Sequence, residues 1–213
     1  MEINDINKII LETKKYSRQM VPKDLHHGFE HCQRVRDYAL LIAKTEKADS
    51  NILEIASYLH DIGRGHEKNQ YHTKTSAELA KTFLTNLGLP AEPTQKIIHC
   101  IETHSRKLRH RKTPKSIEAK ILYDADGLEM IGAVGLLRTA LSAQVQGKDW
   151  KHVLKKARWR LKIKNDFLTL TGKKIAKTRQ NLLVAFINQL MKELENKTCA
   201  LEDNNFCSKT ITK

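Results

Sequence analysis

At 213 residues, 40% of them hydrophobic and 29% charged, the chain is long enough for one good-sized core and has the ordinary composition of a globular protein. No apolar run approaches the ~18 residues of a membrane span. The start, Met1-Glu2-Ile3-Asn4-Asp5, lacks the basic and apolar regions of a signal peptide, so a cytoplasmic location without a membrane partner is expected. The net charge of +14 and pI near 9.6 favour polyanions such as nucleotides or nucleic acid, against the plain alternative of a solvated basic face.

Glycine and proline are sparse (9 and 4), and apolar residues recur at helical spacing, which predicts an all-α fold. Residues 4–20 form a first amphipathic helix carrying Ile6, Ile9 and Ile10, broken at Pro22. A second helix runs from about His27 to Lys44. Its stripe is His31, Val35, Tyr38 and Ile42, so His31 shares the apolar face. A third starts at an Asp49-Ser50-Asn51 cap and ends at Gly63, which leaves His60 and Asp61 in its last turn.

The next helix is expected to open at Thr75 with Glu78 completing a capping box, and another spans about 94–105. On the latter, His104 lies with Ile97 and Ile101 on the inward face, whereas His99 falls on the outer side. Thr113-Pro114 is expected to begin the helix that carries Ile117, Ile121 and Leu122 toward Asp124-Ala125-Asp126. Residues 131–143 are apolar and rich in small residues. Two more helices follow, the first strongly basic over 148–164. Residues 196–213 read as a disordered tail. The four cysteines, Cys32, Cys100, Cys199 and Cys207, form no zinc-finger spacing and are expected to be reduced.

Histidines and carboxylates on the inward side of helices make costly core but good ligands for a divalent ion. His31 on one helix, the His60-Asp61 pair ending another and an aspartate on a third supply such a set. Neighbouring side chains in a regular helix diverge by about 100°, but a terminal turn can bring both onto one ion.

The stretches His27-Gly28-Phe29-Glu30-His31-Cys32-Gln33-Arg34-Val35, Leu59-His60-Asp61-Ile62-Gly63 and Asp124-Ala125-Asp126-Gly127-Leu128-Glu129 resemble, in order and spacing, the HD-domain metal-dependent phosphohydrolases. The resemblance spans roughly residues 20–140 and implies a single compact helical domain, expected over residues 1–146, on which the helices read over 147–195 are expected to pack as accessories. It implies His31, His60, Asp61 and Asp126 as ligands of one or two ions (Mn, Ni, Co, Fe, Mg or Zn). The substrate is expected to be a nucleotide or similar phosphorylated small molecule, cleaved at a phosphoester or phosphoanhydride by metal-activated water.

Asp61 would orient or deprotonate that water, with Arg34 and Arg64 offsetting phosphoryl charge. Substrate contacts are expected from His27, Lys68, His72, His104 and Arg106, of which His72 and His104 are alternatively ligands of a second ion. The resembling chains often carry an arginine and an aspartate where this one has Gly127 and Glu129, so a basic group that orients substrate is missing at 127. Alternative readings are a phosphodiesterase acting on cyclic or oligonucleotides, and a basic helical nucleic-acid-binding protein with a non-catalytic metal.

Overall fold

A computed structural model describes residues 3–65, 72–108 and 112–194. Among these are nine α-helices and no strand: α1 (Ile3–Met20), α2 (Phe29–Glu46), α3 (Ser50–Leu59), α4 (His72–Asn86), α5 (Ala91–Thr103), α6 (Ile117–Leu128), α7 (Gly132–Val145), α8 (Trp150–Lys162) and α9 (Leu170–Leu194). No single described helix is long and apolar enough to cross a membrane. The expected tail over 196–213 lies outside the described residues.

Helix α2 packs against both α3 and α6, and α5 against α3, α4 and α6. The shared interior is aliphatic, with Val35, Ile42, Leu53, Ile55, Leu59, Ile97, Ile101, Ile121 and Leu122 all sealed from solvent. Each such side chain contributes roughly 1.5–3 kcal/mol when fully buried. The C-terminal helices join this same core through Ala157, Ile163, Phe167, Ala176, Leu183 and Ile187.

Two helix starts differ from the sequence expectation. Helix α4 begins at His72, so Thr75 lies inside its first turn and does not cap it. The side chain of the neighbouring Ser76 instead accepts the Gly63 N–H at 2.9 Å, tying α4 to the short 3-10 turn Ile62–Gly65. Helix α6 begins after Ser116, whose hydroxyl accepts the Ala119 N–H at 3.1 Å. Pro114 stays in the irregular chain before it, because the serine supplies the acceptor that an exposed helix start needs. The Asp49 cap of α3 forms as expected, accepting from Asn51 and Ile52.

Candidate metal centre

Four helix ends and two helix faces meet at one point. His31 comes from the buried face of α2, and His60 follows the last residue of α3. Asp61 opens the 3-10 turn, Asp126 lies on α6, His104 follows α5 and His72 starts α4. His31 Nε2 lies 3.3 Å from His60 Nε2, 3.5 Å from Asp126 Oδ1 and 3.6 Å from Asp61 Oδ2. His60 Nε2 is likewise 3.6 Å from Asp61 Oδ2. Ligands bonded at ~2.1 Å around a tetrahedral ion stand about 3.4 Å apart, so the donor set fits a small divalent cation. His31, His60 and Asp126 form one such group; His27, His31 and Asp61 another; His60, Asp61 and His104 a third.

The histidine tautomers follow from their outer partners. A carbonyl only accepts, so His60 Nδ1 donates to Ser57 O at 2.7 Å and His104 Nδ1 donates to Ile101 O at 2.7 Å. Both histidines sit just past a helix and reach back three residues to a carbonyl the helix leaves unused. His31 Nδ1 faces Glu129 Oε2 at 3.4 Å. The Nε2 atoms of all three rings therefore present lone pairs inward, the arrangement in which an outer hydrogen bond orients a metal-binding imidazole.

Protonation agrees with this. Burial, then the charges of Arg138 and His60, hold His31 well below the usual histidine range. Burial also lowers His60. For Asp61, burial pushes the carboxyl up, but the neighbouring Arg64, His60, His104 and His27 more than reverse it, leaving it ionised far below its ordinary value. Asp126 follows the same balance, with His31, His104 and His60 overcoming burial.

Asp61 is the hub. Its Oδ2 meets Arg64 Nε at 2.5 Å and His27 Nδ1 at 3.1 Å. Its Oδ1 has no hydrogen-bond partner, and lies 3.6 Å from His104 Nε2 and 3.7 Å from His72 Nε2. His72 Nε2 also stands 3.1 Å from Arg64 Nη2. Solvent reaches the cluster where Asp126, His27, Arg64 and Arg34 are partly exposed, whereas His31, His60 and Asp61 are sealed.

One expected substrate contact lies elsewhere. Arg106 is buried against the far side of α6: its guanidinium stacks 4.1 Å from the Tyr123 ring, lies 5.1 Å from that of Phe167 and donates to Tyr123 O at 2.7 Å. A Cβ at position 127 would fall inside that guanidinium, so Gly127 makes room for an arginine arriving from the 106 turn. Arg34, 32% exposed at the edge of the cluster, donates through Nε to Glu129 Oε2 at 2.9 Å. Lys68 lies outside the described residues.

Asp124 and Asp126 point to opposite sides of α6, being two residues apart on a helix. Asp124 is sealed and accepts from Leu168 N, Thr169 N and Thr169 Oγ1 at 2.7–3.1 Å, anchoring the start of α9. Its place is structural.

Sequence reasoning marked Glu129 only as a departure from the family pattern and passed over Arg138. Glu129 is buried three residues beyond Asp126, between His31, Arg34 and Arg138. Arg138 is buried on α7, within the stretch read only as apolar and small. A signal was present there. Arg138 is the sole charged residue between Ile131 and Val145, and a lone charge on an apolar helix must find a buried partner.

The HD domain family matches residues 28–131. The Bacillus subtilis (strain 168) protein YpgQ is 32% identical over 178 residues, covering 79% of this chain and 84% of that one. The crystal structure of YpgQ in complex with ADP aligns with a TM-score of 0.74 at 26% identity, over 89% of this chain and 96% of YpgQ. An HD-superfamily hydrolase from Bacillus thuringiensis aligns at 0.68 with 25% identity, over 89% of this chain and 98% of that one. A predicted HD superfamily hydrolase from an uncultured Thermotogales bacterium aligns at 0.63 with 28% identity, over 88% and 92% of the two chains. The chain belongs to the HD-domain superfamily of hydrolases.

Proposed function

We propose that the protein is a metal-dependent phosphohydrolase of nucleotides, with His31, His60, Asp61 and Asp126 as ligands of a divalent ion. One observation carries the reading: the Nε2 lone pairs of His31 and His60 face each other at 3.3 Å beside two ionised carboxylates. Such a set repels itself unless a cation joins it. A divalent ion held there supplies Lewis acidity toward a phosphoryl oxygen and acidifies water in its coordination sphere.

The protein's own groups do the rest. Asp61, ionised and sealed, is placed to orient water or accept its proton. His27 and Arg64 hold the Asp61 carboxylate from the solvent side. The partly exposed edge at Asp126 and His27 leaves an approach for the substrate. Nucleotide as the substrate class is supported by the relative YpgQ, whose structure holds ADP, and by the +14 charge of this chain.

A second ion is favoured by a specific feature: Asp61 Oδ1 and His104 Nε2 are buried without hydrogen-bond partners, and His72 Nε2 stands 3.7 Å from that oxygen. Asp61, His72 and His104 would hold it.

The test is metal analysis of the purified protein, coupled to phosphate and diphosphate release from a panel of nucleotides, with and without EDTA. Cyclic and oligonucleotide substrates belong in the same panel, since a phosphodiesterase uses the same centre. His60→Ala and Asp126→Ala are expected to lose bound metal and turnover while keeping the helical circular dichroism of the parent. Parent rates in both variants would end the proposal. A salt-sensitive nucleic-acid gel shift that survives EDTA, with no hydrolysis of any substrate, would point to a binding module instead.

A further inference from the structure

We infer that Arg138 binds the phosphoryl group presented at the metal centre, with Arg160 keeping positive charge in excess behind it; the inference rests on the phosphohydrolase reading. Arg138 is 5% exposed, on a helix with no other charge. Its Nη1 approaches Glu129 O at 3.3 Å and Glu129 Oε2 at 3.6 Å, while Nη2 is 3.5 Å from His27 Nδ1. Its Nε is buried and has no hydrogen-bond partner. A guanidinium carries five N–H donors, and burying one with donors unused is costly unless an acceptor arrives.

Among the described residues, the carboxylate within ion-pair distance of Arg138 is that of Glu129, and it is shared. Glu129 Oε2 already takes Arg34 Nε at 2.9 Å and faces His31 Nδ1 at 3.4 Å. Arg160, 9% exposed, comes from α8 and donates through Nη1 to Met130 O and Gly135 O, and its Nε also lacks a partner. Burial and then the neighbouring charge of Arg138 push Arg160 down to about 10. A third buried nitrogen without a partner, His26 Nδ1, belongs to the same neighbourhood, since the charges of Arg138 and Arg160 both act on that ring.

Four guanidiniums (Arg34, Arg64, Arg138, Arg160) thus gather around three inner carboxylates (Asp61, Asp126, Glu129) and the exposed Glu30 that pairs with Arg34, and a divalent ion would add its own charge to this set. A site built this way is short of negative charge, which a phosphoryl group supplies. Its position fits. Arg138 meets His27 at the partly exposed edge of the cluster, and the charges of Asp126 and Asp61 act on it. The basic group missing at Gly127 is supplied from α7.

A purely structural Arg138 would neutralise Glu129 and do no more. The two roles separate by calorimetry of inorganic phosphate binding to Mn-loaded parent, Arg138→Gln and Arg138→Lys proteins, with Mn affinity, melting temperature, and kcat and KM on the best nucleotide measured alongside. For Arg138→Gln the phosphate affinity is expected to fall about 10- to 100-fold, with KM rising in step and Mn affinity within a few-fold of the parent. Arg138→Lys keeps the charge but loses the forked donors, so a fall of about 3- to 10-fold is expected.

This second variant decides the matter if the glutamine protein does not fold. Parent-like phosphate affinity in whichever variant folds would overturn the inference, as would equal losses of phosphate affinity, Mn affinity and melting temperature. A parent protein that neither binds phosphate nor hydrolyses any nucleotide would instead overturn the phosphohydrolase reading on which the inference stands.

Discussion

Replacing Glu129 by glutamine tests whether the inner histidines are held by their outer partners. Glu129 is 1% exposed, and its Oε2 stands 3.4 Å from His31 Nδ1 and 2.9 Å from Arg34 Nε. Glutamine keeps the length and one acceptor oxygen but removes the charge and introduces an amide that can turn its NH2 toward His31. The ring then loses the constraint that directs Nε2 inward. Outer partners of this kind are worth 10- to 100-fold in metal affinity, or about 1.4–2.7 kcal/mol. Glu129→Ala goes further, because it strips the buried Arg138 of its carboxylate at a cost of about 3–5 kcal/mol. Arg34, 32% exposed, recovers water and loses less. In a chain of this size that cost is a fall of roughly 6–20 °C in melting temperature. The assay is a Mn titration against a competing chelator, with thermal melts of the metal-free proteins. Glu129→Gln binding Mn with the parent affinity would refute the assignment of Glu129 to His31.

Acid should weaken the metal-free protein from an unusually high pH. His31 and His60 lie below the usual histidine range, and His26 is pushed to about 3, by burial first in each case. Because these values are lower in the folded than in the unfolded chain, the unfolded chain takes up protons first. Stability should be complete above the unfolded value of 6.5 and decline as the pH falls from there toward the depressed folded values. Asp61 and Asp126, also depressed, add a further loss below about 3.8. Urea unfolding in EDTA between pH 5 and 8 measures the first part, and a flat profile would contradict it. Asp124→Ala removes acceptors of three donors at the start of α9 and should cost about 2–4 kcal/mol in urea unfolding, with Mn affinity unchanged. Arg106→Ala should lower stability by roughly 2–4 kcal/mol through the lost stacking and carbonyl bond, and leave KM at the parent value; a raised KM would restore its role as a substrate contact.

Much of the site was legible because its residues break the local apolar pattern. His31 on the stripe of Val35 and Ile42, and His104 on that of Ile97 and Ile101, had no reason to face inward unless inward was where their chemistry lay, and both are buried. The Asp49 cap was equally plain, since its side chain acts within its own turn. The misplaced starts of α4 and α6 have a common cause. Thr75 and Pro114 are locally competent signals, but Ser116 offered a nearer cap for α6, and the side chain that ties α4 to its surroundings is Ser76, whose partner lies 13 residues back in the chain. Arg106 and Gly127 show the limit most clearly. One was read as a substrate contact and the other as a missing cation, and only their packing reveals that the glycine exists to admit the arginine.

The same logic explains why the cluster lies where helices end. A helix leaves its last carbonyls without intrahelical donors. Ser57 O and Ile101 O are such carbonyls, and each takes the Nδ1 proton of the histidine three residues on. His60 and His104 thereby satisfy the ends of α3 and α5 while their other nitrogens point at Asp61. Had either ring stood in mid-helix, the carbonyl would have been bonded already, and the imidazole would have needed a partner from elsewhere. Placing the histidines one step past the helix makes the backbone itself the outer shell of the centre. His60 keeps helical backbone angles as the cap of α3, and its Nε2 still comes within 3.6 Å of Asp61 Oδ2.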